Sequence, residues 1–352
     1  MKACGLYLIS FLSIAFAGNS CGSVHHTQAP LPTKAHTIIA SQDKLISYLT
    51  GDSSDITTNA VAGLLLAGGS TDLDSAVKWF LDRSAGGDVV VLRATESDGY
   101  NQYMFDLSKV NSVETLVIDT FSKAWLPEVA RKIRNAEALF ISGGDQWNYV
   151  KYWKDSPVED AINYLLNTKK VPVGGTSAGL AILGGAYFSA QNGTVTSNQA
   201  LANPYDSLNA IGYGDFLKAP YMSEVITDSH YTQRDRHGRH ITWLARLLTD
   251  AGLQTVRGIG IDEKTALCID ESGLGIVIGA NSVYFLSSNE QYPEQCTTHR
   301  PLSWKGNSKT IEVYKIEGSP SGHGRFDARS WSLSGGSSFY YSVDKGVLHI
   351  AR

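Results

Sequence analysis

Cysteine is scarce in this chain, with four in 352 residues. That is too few and too scattered for a disulfide-built scaffold, and no CxxC or clustered His/Cys spacing offers a zinc site. A basic excess is also missing. Thirty Lys and Arg stand against 34 Asp and Glu, a formal net charge of -4, which is not the footprint of a protein whose main partner is nucleic acid. Beyond the first residues no apolar run approaches the roughly 20 residues that cross a bilayer. There is no internal repeat, so solenoids and propellers are excluded. What remains is an ordinary globular balance, 43% hydrophobic and 18% charged, long enough for one large domain or two small ones.

The N-terminus reads as an export signal. Lys2 supplies the positive start, Leu6 to Ala17 is uncharged and apolar, and Ala15-Phe16-Ala17 has the small-x-small spacing of a cleavage site. Residues 1–17 are therefore expected to leave the mature protein. A lipoprotein reading is the alternative, in which residues 1–20 leave and Cys21 becomes the lipidated first residue. Either way the product is exported, periplasmic or extracellular. Residues 18–40, rich in His, Thr and Pro, read as a flexible tether. Cys268 and Cys296 are left to pair in an oxidising compartment, or Cys268 to stay reduced in its apolar run.

From about residue 60, short apolar runs alternate with helical patterns. Val61 to Ala67, Asp88 to Ala94, Glu114 to Asp119, Ala138 to Ser142 and Val171 to Gly174 are continuously apolar or nearly so, as strands buried on both faces are. The alternation predicts an α/β fold around a doubly wound, mainly parallel sheet, whose sites form at the carboxyl ends of strands. Three of those runs end in glycine pairs, Gly68-Gly69, Gly143-Gly144 and Gly174-Gly175, which allow tight turns and close backbone approach. The second half reads differently. One long helix is expected within 224–251, with Ile241, Leu244, Ala245 and Leu248 on one face, followed by short strands. From about Asn289 a β-rich C-terminal extension (289–352) continues or packs on the main domain, with strands over Lys309 to Ile316 and Phe339 to Ile350.

Gly175-Thr176-Ser177-Ala178-Gly179 is a G-x-S-x-G sequence after a strand and before a helix-like segment, the context of a nucleophile elbow. Ser177 is the nucleophile candidate. The amide of Ala178 is one candidate oxyanion donor, and a glycine amide of the Gly143-Gly144 turn, taken as Gly144, is the second. A serine needs a base and the base an orienting acid. His230 is the base candidate, and Asp228 and Glu263 compete as the acid. In an extended segment Asp228 would share a face with His230. His237 and His240, in the charged run Arg234 to His240, are expected on a solvated helix face, and ordinary surface pairing of its arginines with Asp235 and Glu224 is the alternative to a role in binding.

Four motifs in order carry a resemblance: Gly143-Gly144-Asp145-Gln146; Gly175 to Gly179; Asp228-x-His230-Tyr231-x-x-Arg234-x-Arg236-x-x-Arg239; and Gly258-Ile259-Gly260-Ile261-Asp262-Glu263-x-Thr265-Ala266. The chain resembles the serine peptidase family of cyanophycinase and aspartyl dipeptidase over roughly residues 60–285. The resemblance implies a class I glutamine amidotransferase-like, flavodoxin-like sandwich and a catalytic domain over 41–288. It implies Ser177 as nucleophile, His230 as base and Glu263 as orienting acid, with Gln146, Asp228, Ser229, Arg234, Arg236 and Arg239 shaping the substrate pocket. Ser229 stands where such enzymes often carry glutamine. The implied substrate is a peptide or the polyaspartate-arginine polymer, whose carboxylates suit guanidinium groups and whose arginines suit acids such as Asp228. No cofactor, metal or nucleic-acid partner is implied, and a homodimer is the assembly to test for.

Overall fold

Strands without a polar face need cover on both sides, and the computed structural model provides it. It describes residues 44–289 and 291–352, so the expected signal, the tether and Cys21 lie outside the described residues. The described residues belong to one compact unit.

In chain order the first half gives β1 (Ile46–Gly51), β2 (Gly63–Ala67), α1 (Asp74–Asp82), β3 (Asp88–Arg93), α2 (Asn101–Leu107), β4 (Ser112–Val117), α3 (Pro127–Asn135), β5 (Ala138–Ile141), α4 (Gln146–Trp153), α5 (Pro157–Tyr164), β6 (Pro172–Thr176) and α6 (Ala178–Ala181). The second half gives β7 (Ala186–Phe188), α7 (Ser197–Ala202), β8 (Ile211–Tyr213), β9 (Val225–Asp228), α8 (His237–Ala251), β10 (Arg257–Ile261), β11 (Thr265–Asp270), β12 (Leu274–Gly279) and β13 (Ser282–Ser288). It closes with β14 (Ile311–Glu317), β15 (His323–Asp327), β16 (Ser332–Ser334), β17 (Ser337–Asp344) and β18 (Val347–Ala351).

The first sheet runs β1-β4-β3-β5-β6-β2-β11-β12-β15-β16. Its five strands β4, β3, β5, β6 and β2 are mutually parallel, as the apolar runs predict. The alternation along each strand splits the core. Leu65 and Ala67 with Val89 and Val91 pack against Ala76, Val77 and Phe80 of α1. Leu64, Leu66, Val90 and Leu92 face the other way, toward α3, α5 and residues Ile259, Ile261, Val283 and Phe285 of a second sheet.

That second sheet, β18-β17-β14-β13-β10-β9-β7-β8, is the main departure from a single doubly wound sheet. Only β7, β9 and β10 run parallel in it. Its far face buries Ile226, Leu286 and Val313 beneath Ile241, Leu244 and Leu248 of α8, the stripe predicted for that helix. The helix itself begins at His237. Val225–Asp228 is a strand bonded in parallel to β10, because four apolar-rich residues between two neighbours gain more from a ladder than from one helical turn. The stretch 339–350 is likewise a hairpin of β17 and β18. The extension past 289 is woven into both sheets, with β14, β17 and β18 lengthening the second and β15 and β16 the first. Cys268 and Cys296 are both free and buried, in different clusters.

Between β10 in the second sheet and β11 in the first, the chain crosses over through only Asp262, Glu263 and Lys264.

Candidate active site

Ser177 lies at the turn between β6 and α6 with φ 52° and ψ −108°, a region that costs a non-glycine residue about 1–3 kcal/mol. The turn is held by its neighbours. The Ser177 amide donates to the Ala67 carbonyl at 3.0 Å, and the Thr176 hydroxyl donates to Asp72 at 2.7 Å. A Cβ at Gly179 would lie 2.2 Å from the Ile141 carbonyl oxygen, so only glycine lets the elbow pack against β5.

His230 follows β9 and has φ 46°. Its Nε2 is 2.8 Å from the Ser177 Oγ, and its Nδ1 is 2.7 Å from Glu263 Oε1. The hydrogen bond from His230 holds the Glu263 carboxyl below the usual range, so it is ionised and accepts only. The imidazole proton therefore sits on Nδ1, leaving the Nε2 lone pair facing the serine hydroxyl. Burial pulls the His230 pKa below the ordinary value, against the opposing pull of Glu263. Neutral imidazole is thus the resting form near neutrality, as a proton acceptor requires. Gly69, at φ +93°, makes this contact possible: a Cβ there would meet the His230 ring at 2.6 Å and Ser177 Cβ at 3.0 Å.

The loop carrying His230 is tied to the crossover carrying Glu263. Asp262 accepts from the Thr232 amide at 2.8 Å and the Ser282 amide at 3.2 Å, and the Glu263 amide donates to Gln233 at 3.0 Å. The Gly-Ile-Gly-Ile run explains the rest. Ile259 and Ile261 enter the core between the sheets, while the bare faces of Gly258 and Gly260 take the rings of His240 and Tyr231.

Those packings correct several expectations. His240 is fully buried rather than solvated, its Nε2 3.2 Å from the Ile226 carbonyl, and burial brings its pKa to about 4. His237 is half-buried, with Nδ1 2.9 Å from the Tyr341 hydroxyl. The segment is not extended at His230, where φ is 46°, and Asp228 has other partners than the imidazole. Asp228 is 2% exposed, and its carboxylate takes a two-point contact from Arg239 (Nε to Oδ2 2.8 Å, Nη2 to Oδ1 2.6 Å) and one from Arg236 at 3.0 Å. Burial pushes its pKa up, but the two guanidinium charges outweigh that and hold it down. Asp228 is therefore saturated and cannot take a substrate guanidinium, and Arg239, clasped between Phe188 and Trp243 at 5.0 and 4.7 Å, has no free face for a carboxylate. Both shape the pocket from behind. Neither Asp235 nor Glu224 pairs with these arginines among the described residues.

Ser177, Gly144, Gln146, Ala178, Ser229 and Arg234 line a cleft of about 270 Å³ backed by Asp228, Arg236 and Arg239. Gln146 reaches the Phe188 carbonyl at 3.4 Å. The amides of Gly144 and Ala178 donate no hydrogen bond among the described residues, leaving them available to a ligand oxygen. A second cleft of about 260 Å³ opens at the opposite end of β2, beside Gly63 and Asp270, and is lined by no serine, threonine, cysteine or histidine. No cluster of His, Cys, Asp or Glu suited to a metal occurs among the described residues. Gly69 belongs to one of the strand-ending glycine pairs expected to allow close backbone approach, whereas Asp72 and Asp262 carry no role in the sequence reading, although Asp262 adjoins Glu263 in the Gly258 to Ala266 motif.

A serine, an imidazole and a carboxylate in register at the carboxyl edge of parallel strands form the arrangement of activated-serine α/β hydrolases. The chain belongs to Peptidase family S51, which it matches over residues 64–277. It is 28% identical over 217 residues to a cyanophycinase of Trichormus variabilis, covering 60% of this chain and 64% of that protein. It is 31% identical over 152 residues to a cyanophycinase of Geminocystis herdmanii, covering 43% and 49%. The match thus spans less than two thirds of these relatives' length. The crystal structure of a peptidase from an acI-B1 actinobacterium aligns with 64% of this chain and 91% of its own at 18% identity and a TM-score of 0.46.

Proposed function

We propose that the protein is a serine peptidase of cyanophycinase type, cleaving β-aspartyl-arginine polymer to dipeptides through an acyl-enzyme. The observation that carries this reading is the unbroken relay of Ser177, His230 and Glu263, at 2.8 and 2.7 Å, in a chain similar to two cyanophycinases. His230 Nε2 takes the hydroxyl proton as Ser177 Oγ attacks the scissile carbonyl. Glu263 keeps the resulting imidazolium oriented and compensated. The oxyanion is met by the amides of Gly144 and Ala178. The tetrahedral intermediate collapses as the imidazolium passes its proton to the leaving amine. A water, deprotonated by His230, then attacks the ester and releases the acid and free Ser177.

The test is incubation with insoluble cyanophycin and mass-spectrometric detection of β-Asp-Arg, wild type beside Ser177→Ala. The variant should lose about a millionfold in kcat if the three groups act as a unit; turnover near wild type would exclude Ser177. A second reading, an aspartyl or isoaspartyl dipeptidase, is favoured by the cleft of about 270 Å³, near the lower limit of small-ligand sites, and by Ser229 within it. Cleavage of short isoaspartyl peptides without polymer release supports that alternative. A folded protein whose Ser177 ignores a fluorophosphonate would instead be a binding protein. Export rests on the apolar N-terminal run and its small-x-small site. Intact-mass measurement of protein from the medium, periplasm and membrane fraction should show loss of residues 1–17, or of residues 1–20 with added lipid mass on Cys21, and an intact Met1 would refute cleavage.

A further inference from the structure

Five charged residues line the cleft: Asp145, Asp228, Arg234, Arg236 and Arg239. Three of them are tied to one another, since Arg236 and Arg239 close on the buried Asp228 and leave one net positive charge behind the cleft. The other two stay open. Arg234 is exposed, and its guanidinium forms no ion pair among the described residues. Asp145 is exposed too. One of its oxygens caps α4, accepting from the Trp147 amide at 2.9 Å, which fixes the carboxylate without consuming its charge.

These two charges stand on different walls. Arg234 belongs to the loop of His230, its amide donating to the His230 carbonyl at 3.0 Å, and its charge bears on His230 and Glu263. Asp145 follows the Gly143-Gly144 turn after β5, and its charge bears on Tyr149. Ser177 lies between, 2.8 Å from His230 on one side and with its Cβ 3.5 Å from where a Cβ on Gly143 would sit on the other. The cleft therefore carries one open charge of each sign, on either side of the reacting centre.

We propose that Asp145 is a specificity-determining residue, binding a guanidinium or ammonium group of the substrate on the β5 side of Ser177 while Arg234 faces a carboxylate on the other. This rests on the reading of Ser177 as the reacting centre and narrows the substrate class to peptides of mixed charge. An anionic peptide would meet repulsion on one wall, and a neutral one would leave both charges unanswered.

Binding to the full-length Ser177→Ala protein tests this without turnover. The probes are β-aspartyl-arginine and β-aspartyl-citrulline, which share a shape but differ in charge, measured by titration calorimetry at low and high salt. The arginine dipeptide should bind about fivefold tighter, as for a partly exposed ion pair. The preference should shrink with salt and vanish in Ser177→Ala/Asp145→Asn, since asparagine keeps the cap. Equal affinities, a preference that survives Asp145→Asn, or no binding of the arginine dipeptide at millimolar concentration would overturn the inference. Absence of wild-type turnover beside an intact preference would sink the peptidase reading alone. Turnover without preference would sink only the role of Asp145.

Discussion

Two carboxylates near His230 compete on paper for the same task, and their surroundings separate them. Asp228 ends β9 and Glu263 follows β10, adjacent parallel strands in which Asp228 pairs with Gly260. Asp228 is closer in sequence to His230, yet its side chain is only 3% exposed and is taken up by two arginines. Glu263 keeps 25% of its side chain exposed and bonds the imidazole. A carboxylate already saturated by guanidinium groups is a structural ion, whereas one bonded to an imidazole can respond to a proton. Proximity in sequence does not decide the role; the kind of partner does.

This contrast breaks cleanly under substitution. Glu263→Gln should lower kcat by roughly 10³–10⁴-fold by losing the tautomer and charge that orient His230, while changing stability by less than about 1 kcal/mol, as for a partly exposed pair. The same variant should shift the pH profile. In the wild type the acid limb of kcat/KM falls below the ordinary histidine pKa of 6.5 because burial depresses His230. Removing the carboxylate that pulls it upward should move the limb lower still, and a limb moving upward would refute the pairing. Asp228→Asn should do the reverse, costing about 3–5 kcal/mol of unfolding free energy by stranding two buried guanidinium groups. A urea midpoint equal to wild type would show that Arg236 and Arg239 find other partners.

The legible parts were those with a strong local signal. Unbroken apolar runs such as Leu64-Leu65-Leu66 can only be covered strands, and Ser177 between small residues can only be a tight turn. Less visible was anything fixed by a distant partner. Val225–Asp228 is a strand because β7 and β10 flank it, which no period within four residues announces. His240 looked solvated because charged residues surround it in sequence. It is buried because Gly258, eighteen positions away, has no side chain. The alternation of Gly258 and Gly260 with isoleucines was the available clue, one face of a strand left bare to receive rings.

The three-residue crossover holding Glu263 has a mechanical meaning. Ser177 is mounted on one sheet, His230 on the other, and Glu263 on the short rung joining them. The relay thus works as a strain gauge across the seam: a slip of one sheet past the other by a fraction of an ångström opens the 2.8 Å contact between serine and imidazole while cores made of many apolar contacts barely register it. The chain's reactivity is in this sense a measurement of its own alignment.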